Sequence, residues 1–204
     1  FTDESVMNAA VCQAILVNDA PVKGFKISNR AFEYAVQYKQ FYAKFPNAGY
    51  GNMFKQWASD RYMGHNRSYG NGGAMRAVPI GYAYDDMEQI LLQAKASCLF
   101  THNSHEAIFG AQAVAAAVFM ARTGESKESI KNFLQKRFHY DLDYPLAAIS
   151  PVYSFDSSTD YSVPPSIVAF LESTDYESAV RKAVSLGGDA DTMACIAGGI
   201  AEAY

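Results

Sequence analysis

Cysteine is scarce in this sequence: three residues in 204, Cys12, Cys98 and Cys195, odd in number and far apart. That excludes a disulfide framework, and the spacing matches no zinc-binding pattern. Each is read as a small apolar filler in a reducing compartment. An excess of positive charge is also missing. Lys and Arg number 17 against 21 Asp and Glu, a net charge of −4, with no basic run. A nucleic-acid backbone binder needs clustered Lys and Arg, so no such partner is expected. Long hydrophobic runs are absent too. The stretch Ala113 to Ala121 is about half the roughly 20 residues of a membrane span, and no charged leader precedes an apolar segment at the start. The expectation is a soluble, cytoplasmic, monomeric chain without a membrane partner. Neither period-2 alternation nor a hairpin signal is found, which argues against a sheet-based fold. There is no Gly-x-Ser-x-Gly elbow and no cysteine in a nucleophile context.

Apolar residues, by contrast, make up 50% of the chain, enough for one core, and the length suits a single domain spanning 1–204. Their spacing is helical almost throughout. Val6, Ala9, Ala10, Gln13, Ala14 and Val17 predict a helix over Glu4 to Val17. Asn29 is a candidate cap for a second, carrying Phe32, Ala35, Val36 and Tyr42 and ending before Pro46. Asp85 and Glu88 resemble a capping box ahead of Met87, Ile90, Leu91, Ala94 and Cys98. His105 to Arg122 is an Ala-rich helix stopped by Gly124. Ser126, Asp175 and the region of Asp191 open three more, with Glu177 facing Arg181 at i, i+4. Two stretches read as irregular: Asn47 to Tyr84, with seven glycines, and His139 to Pro165, with four of the seven prolines. Loops of that length usually line a site.

Three sets of residues could carry chemistry, the first a pair of acidic helix starts. Thr2-Asp3-Glu4-Ser5 begins the first helix and Gly188-Asp189-Ala190-Asp191-Thr192 begins the last. Either alone is explained by capping and the helix dipole. If adjacent, these carboxylates would repel one another unless a cation sat between them, and oxygen donors without thiolate or imidazole suit Mg²⁺ or Mn²⁺. Asp-x-Asp also lets two carboxylates flank paired metals. The second cluster is Tyr69-Gly70-Asn71-Gly72-Gly73-Ala74-Met75-Arg76. It is either a concave nest of N–H groups for an anion or an ordinary turn, and it matches neither the Rossmann nor the Walker spacing. Arg76 is either a phosphate clamp or a surface residue at a helix end. The third is Thr101-His102-Asn103-Ser104-His105-Glu106, which supplies caps and a histidine able to donate to a phosphate or sugar oxygen. Its spacing is not that of a zinc helix.

In this order, Gly-Asn-Gly-Gly-Ala-Met-Arg (70–76), Thr-His (101–102) and Ser-Leu-Gly-Gly-Asp-Ala-Asp-Thr (185–192), with Phe-Thr-Asp-Glu at the start, resemble the ADP-ribosylglycohydrolase family. Ser162-Val163-Pro164 and Phe170-Leu171-Glu172-Ser173 extend the similarity over essentially the whole chain. The resemblance implies an all-α orthogonal multi-helix bundle with two long Gly/Pro-rich loops and no substantial sheet. It implies a binuclear Mg²⁺ (or Mn²⁺) site held by Thr2, Asp3, Glu4, Asp189, Asp191 and Thr192. Gly70, Asn71, Gly72, Gly73, Ala74 and Met75, assisted by His102, would bind ADP-ribose or an ADP-ribosylated protein. The reaction implied is hydrolysis of the bond from ribose C1″ to the modified group, with Asp3, Glu4 and Asp191 in catalytic roles.

Three departures qualify the match. Glu4 stands where the family pattern has a second Asp, and its extra methylene could displace one ion. Ser158-Thr159-Asp160-Tyr161 lacks the Cys often found there. The family's Gly-Asp-rich helix upstream of Thr-Asp is not in this sequence, so an acidic catalytic residue from it has no counterpart and activity of the 204 residues alone is expected to be impaired. The alternative from another class is a non-catalytic ADP-ribose-binding or structural member of the family.

Overall fold

Alanine dominates the helix that the rest of the chain surrounds. In the computed structural model, which describes residues 1–17 and 26–204, α6 (His105–Arg122) has eleven buried residues, and Ala113 to Val118 have no exposed surface. A helix apolar on every side must be enclosed. Around it pack α4 (Val78–Ala83), α5 (Met87–Cys98), α7 (Lys127–Phe138), α9 (Thr159–Leu171) and α11 (Ala190–Ala203). A pair formed by α1 (Asp3–Val17) and α2 (Ile27–Lys44) leans on α4, α5 and α11, and α10 (Tyr176–Ser185) covers α9 and α11. Two shorter helices, α3 (Asn52–Ser59) and α8 (Leu146–Ile149), and two 3-10 turns complete the eleven α-helices found among the described residues. Among the described residues strand pairing is limited to two isolated bridges, Arg67 with His102 and Gly70 with Ser158, so the expected all-α class holds. No helix among them is long and apolar enough to cross a membrane.

Small residues let the inner helices approach closely. A methyl on Gly81 would lie 2.5 Å from the Ala115 carbonyl oxygen of α6. Alanine is the better helix former by about 1 kcal/mol, but the clash is with backbone and cannot be relieved by a rotamer change. Gly81→Ala is therefore expected to destabilise by about 1–3 kcal/mol, read as a lower midpoint in urea. An unchanged or raised midpoint would show that α4 can shift freely on α6.

Ser126 and Asp175 cap α7 and α10 as expected, accepting from the Ser129 and Ser178 N–H groups, and Gly124 ends α6 with φ +86°. Other expectations are corrected. Helix α2 begins before Asn29, which lies inside it, and its cap position is Lys26. Asp86, not Asp85, caps α5 by accepting from Gln89 N–H, while Asp85 pairs with Arg122. On α1 the inward face is Val6, Met7, Ala10, Val11 and Ala14, whereas Ala9, Gln13 and Val17 face solvent. On α2, Tyr34 and Tyr38 are buried and Phe32 is half exposed.

The stretches read as irregular contain α3, α4, α8 and the first half of α9. Helix α9 continues through Pro164 and Pro165, although proline lacks the N–H that would bond four residues back. The carbonyl that Pro165 leaves free, Tyr161 O, accepts instead from the Tyr153 hydroxyl at 2.6 Å. A distant side chain thus offsets what local sequence forbids.

Candidate active site

The starts of the first and last helices meet at one cleft of about 390 Å³. Left-handed backbone at Gly187 (φ +75°) and Gly188 (φ +65°) turns the chain into α11, and a Cβ on Gly188 would come within 2.5 Å of the Tyr153 ring. Both position and space require glycine there. The turn delivers Asp189, Asp191 and Thr192 to the cleft wall that Asp3 and Glu4 of α1 also line.

Glu4 is buried, and both its oxygens accept hydroxyl protons, from Thr192 at 2.9 Å and from Thr2. Thr2 itself is exposed and reaches the cluster only through Glu4. Asp189 accepts from the Asn71 amide at 2.8 Å, and Asp191 from the Thr192 N–H at 3.0 Å. None of the five ion pairs among the described residues involves these carboxylates. Burial, then the neighbouring Glu4, Asp191 and Asp189 charges, push Asp3 up to about 7. Burial also raises Asp189 to about 6, against the Asn71 hydrogen bond and with the help of Asp191 and Glu4. Concentrated negative charge with neutral hydrogen-bond partners and oxygen-only donors fits a hard divalent cation. Among the described residues no three Asp, Glu, His or Cys side chains already form a complete ligand group. The carboxylates share a cleft without closing on one point.

The glycine segment faces the acidic wall as a 3-10 turn over Asn71–Gly73. Its glycines all have negative φ, so the alternating-handed backbone of an anion nest is not formed. The Gly70 and Asn71 N–H groups are already used, by the Ser68 hydroxyl and the Ser157 carbonyl. What glycine supplies here is room: a Cβ on Gly72 would sit 2.9 Å from His102 Nε2, and one on Gly73 2.9 Å from Cys98 Sγ. Gly70, Asn71, Gly72, Met75 and His102 line the cleft. Gly73 and Ala74 do not; they are buried behind the turn, packed towards α6. The Asn71 amide is spent on Ser162 and Asp189, so it braces the turn against both.

The proline-rich stretch closes the arrangement. The Thr159 hydroxyl contacts the Tyr69 and Gly70 carbonyls at 2.9 Å, and Ser157 O accepts from Asn71. The two stretches read as loops therefore meet at the turn. Arg76 lines the cleft and is not a surface residue at a helix end. It is fully buried, lies 4.0 Å over the Tyr38 ring, and donates to Ser97 O and the Thr101 hydroxyl. His105 is exposed, does not line the cleft and packs on Phe109.

Sequence reasoning missed a further part of the cleft lining, Gly49 to Phe54, with Phe155. Its signal was the Gly-Tyr-Gly step at 49–51, where Gly49 takes φ +101° and a Cβ would lie 3.5 Å from Asp3. Tyr50 is buried there with no partner for its hydroxyl.

The chain is 29% identical to ADP-ribosylhydrolase ARH3 of Bos taurus and 28% identical to that of Homo sapiens, in each case over the whole of this chain and 70% of the relative. These alignments run over 265 positions against the 204 of this chain, so the relatives carry extra segments between the shared ones. A solved structure titled ADP-ribosylglycohydrolase-related protein complex superposes with a TM-score of 0.71 at 24% identity, covering all of this chain and 71% of that one, which shows the common fold. The model of the ADP-ribosylglycohydrolase family matches residues 1–204. The chain belongs to the ADP-ribosylglycohydrolase family, and it is on that ground a glycohydrolase.

Proposed function

We propose that this chain is a divalent-cation-dependent hydrolase that removes ADP-ribose from a modified protein side chain. The observation that carries the reading is the meeting of Asp3, Glu4, Asp189 and Asp191, from opposite ends of the chain, across from the glycine turn and His102. Asp3, Glu4, Asp189, Asp191 and Thr192 would hold the cation, with Thr2 keeping Glu4 in place through its hydroxyl. When bound, Mg²⁺ or Mn²⁺ would fix ribose hydroxyls and make a water more acidic. Asp3, which lines the cleft beside Glu4, Asp189 and Asp191, would be the carboxylate that exchanges a proton with that water. Gly70, Gly72 and Met75 form the floor on which the ADP-ribose would lie, and His102 offers it a ring nitrogen. Asn71 holds the floor and Asp189 in register.

The test is release of ADP-ribose from ADP-ribosylated serine and arginine peptides, with Mg²⁺, Mn²⁺ or EDTA. Cation-dependent release from either peptide is the expected result, and the ratio between the two names the linkage. Release that survives EDTA would refute the cation's role. Calorimetric binding of ADP-ribose with no turnover of either peptide would favour a binding protein instead.

A further inference from the structure

Arg76 is a charged residue with no exposed surface and no carboxylate partner among the described residues. Its Nε and Nη1 are buried without acceptors. Such a group is costly to bury and calls for a reason. Its third nitrogen, Nη2, supplies one. Nη2 donates to Ser97 O at 3.0 Å and to Thr101 Oγ1 at 2.6 Å, and Thr101 Oγ1 lies 2.8 Å from His102 Nδ1.

Hydrogen-bond accounting fixes the direction along this chain. A guanidinium can only donate, so Thr101 Oγ1 accepts from Arg76. The Thr101 hydroxyl proton then needs an acceptor, and among the described residues His102 Nδ1 is the one within reach. The reverse arrangement, Nδ1–H donating to Thr101, would strand the threonine proton in a buried place and turn a second N–H towards the buried cation. Both are unfavourable. Nδ1 therefore accepts and Nε2 carries the hydrogen. Burial and the Arg76 charge also hold His102 well below the usual imidazole range, so the ring stays neutral. Nε2 has no protein partner among the described residues and faces the turn, 2.9 Å from where a Gly72 Cβ would be and 4.0 Å from a Gly70 Cβ.

We propose that Arg76 and Thr101 are positioning residues that hold His102 as the neutral Nε2–H form, a fixed donor to an acceptor oxygen of the ligand lying on the glycine turn. That the acceptor is a phosphate or ribose oxygen of ADP-ribose rests on the function proposed above; the state of the ring does not.

The ring can be read without substrate. In protein labelled with ¹⁵N-histidine, the His102 resonances at neutral pH should show Nε2 protonated and Nδ1 bare. Thr101→Val, similar in shape but without a hydroxyl, should mix the two forms, and Thr101→Ser should restore the wild-type pattern. A wild-type ring protonated on Nδ1, or one unchanged in Thr101→Val, would overturn the proposal. With ADP-ribosylated peptide, Thr101→Val should raise KM about fivefold, the weight of one hydrogen bond, with kcat little changed. If the chain proves not to hydrolyse such peptides, the resonances still decide the relay. Should Thr101→Val fail to fold, the wild-type spectrum alone decides it.

Discussion

Asp3→Asn is expected to lower ADP-ribose release by about 10²–10⁴-fold, the range for loss of a positioned proton-transfer group, while leaving the cation-free protein at least as stable as wild type. Activity should fall because the neutral amide neither accepts a proton nor contributes charge to the proposed cation site. Stability should not fall, because Asp3 is held in its charged form at a cost. Burial and the charges of Glu4, Asp191 and Asp189 already favour the protonated acid up to about pH 7. The opposing effect is the attraction of a carboxylate to the start of α1, about 0.3–1 kcal/mol at an exposed site. Three neighbouring carboxylates and desolvation outweigh that single terminus, which is what the upward shift of Asp3 records. Peptide hydrolysis and a melting curve in EDTA check the two halves together. A variant both inactive and clearly less stable would mean that Asp3 serves mainly as a helix start. This is the trade of stability for function common at active sites.

How far the site was legible in the sequence follows from what local residues can encode. The Ala-rich α6 and the caps at Ser126 and Asp175 were readable because a cap or a stripe is decided within a few residues. The acidic clusters were readable as clusters, but each equally suited a cap. Only the tertiary fold brings α1 and α11 to one cleft. The first half of helix α9 was missed because two prolines argue against it locally, and the group that compensates, Tyr153, lies outside the helix. Arg76 was misread for a similar reason. Sequence gives an arginine a surface prior, and its burial depends on Tyr38, Ser97 and Thr101 arriving from α2, the end of α5 and the turn after it. The glycine turn was found for an incomplete reason: its residues are small because His102 and Cys98 press against it.

The cation and the proton should compete for the same oxygens, which gives the second large effect. A carboxyl raised in the folded state binds more protons there than in the unfolded chain. Its contribution to stability is full below the unfolded value of 3.8 and is lost as pH rises through about 7 for Asp3 and about 6 for Asp189. His102 acts the other way, because its lowered folded value costs stability as pH falls below 6.5. Asp143, Asp156 and Glu106 are shifted down and matter only near or below their ordinary values, 3.8 for the aspartates and 4.5 for the glutamate. The wild-type curve alone is therefore a sum of opposing slopes. The difference between Asp3→Asn and wild type removes the shared terms. In EDTA the variant's advantage in Tm should widen from pH 5 to pH 8, levelling off once Asp3 has ionised. Adding Mg²⁺ should reverse the sign. At a hundred times its Kd a cation that binds only the folded chain stabilises by about 2.7 kcal/mol, or roughly 5–10 °C for a chain of this size. That gain should be largest at pH 8, where no proton competes, and should shrink in Asp3→Asn. A cation effect independent of pH, or equal in both proteins, would place the ion away from these carboxylates and leave them as two helix starts that happen to face each other.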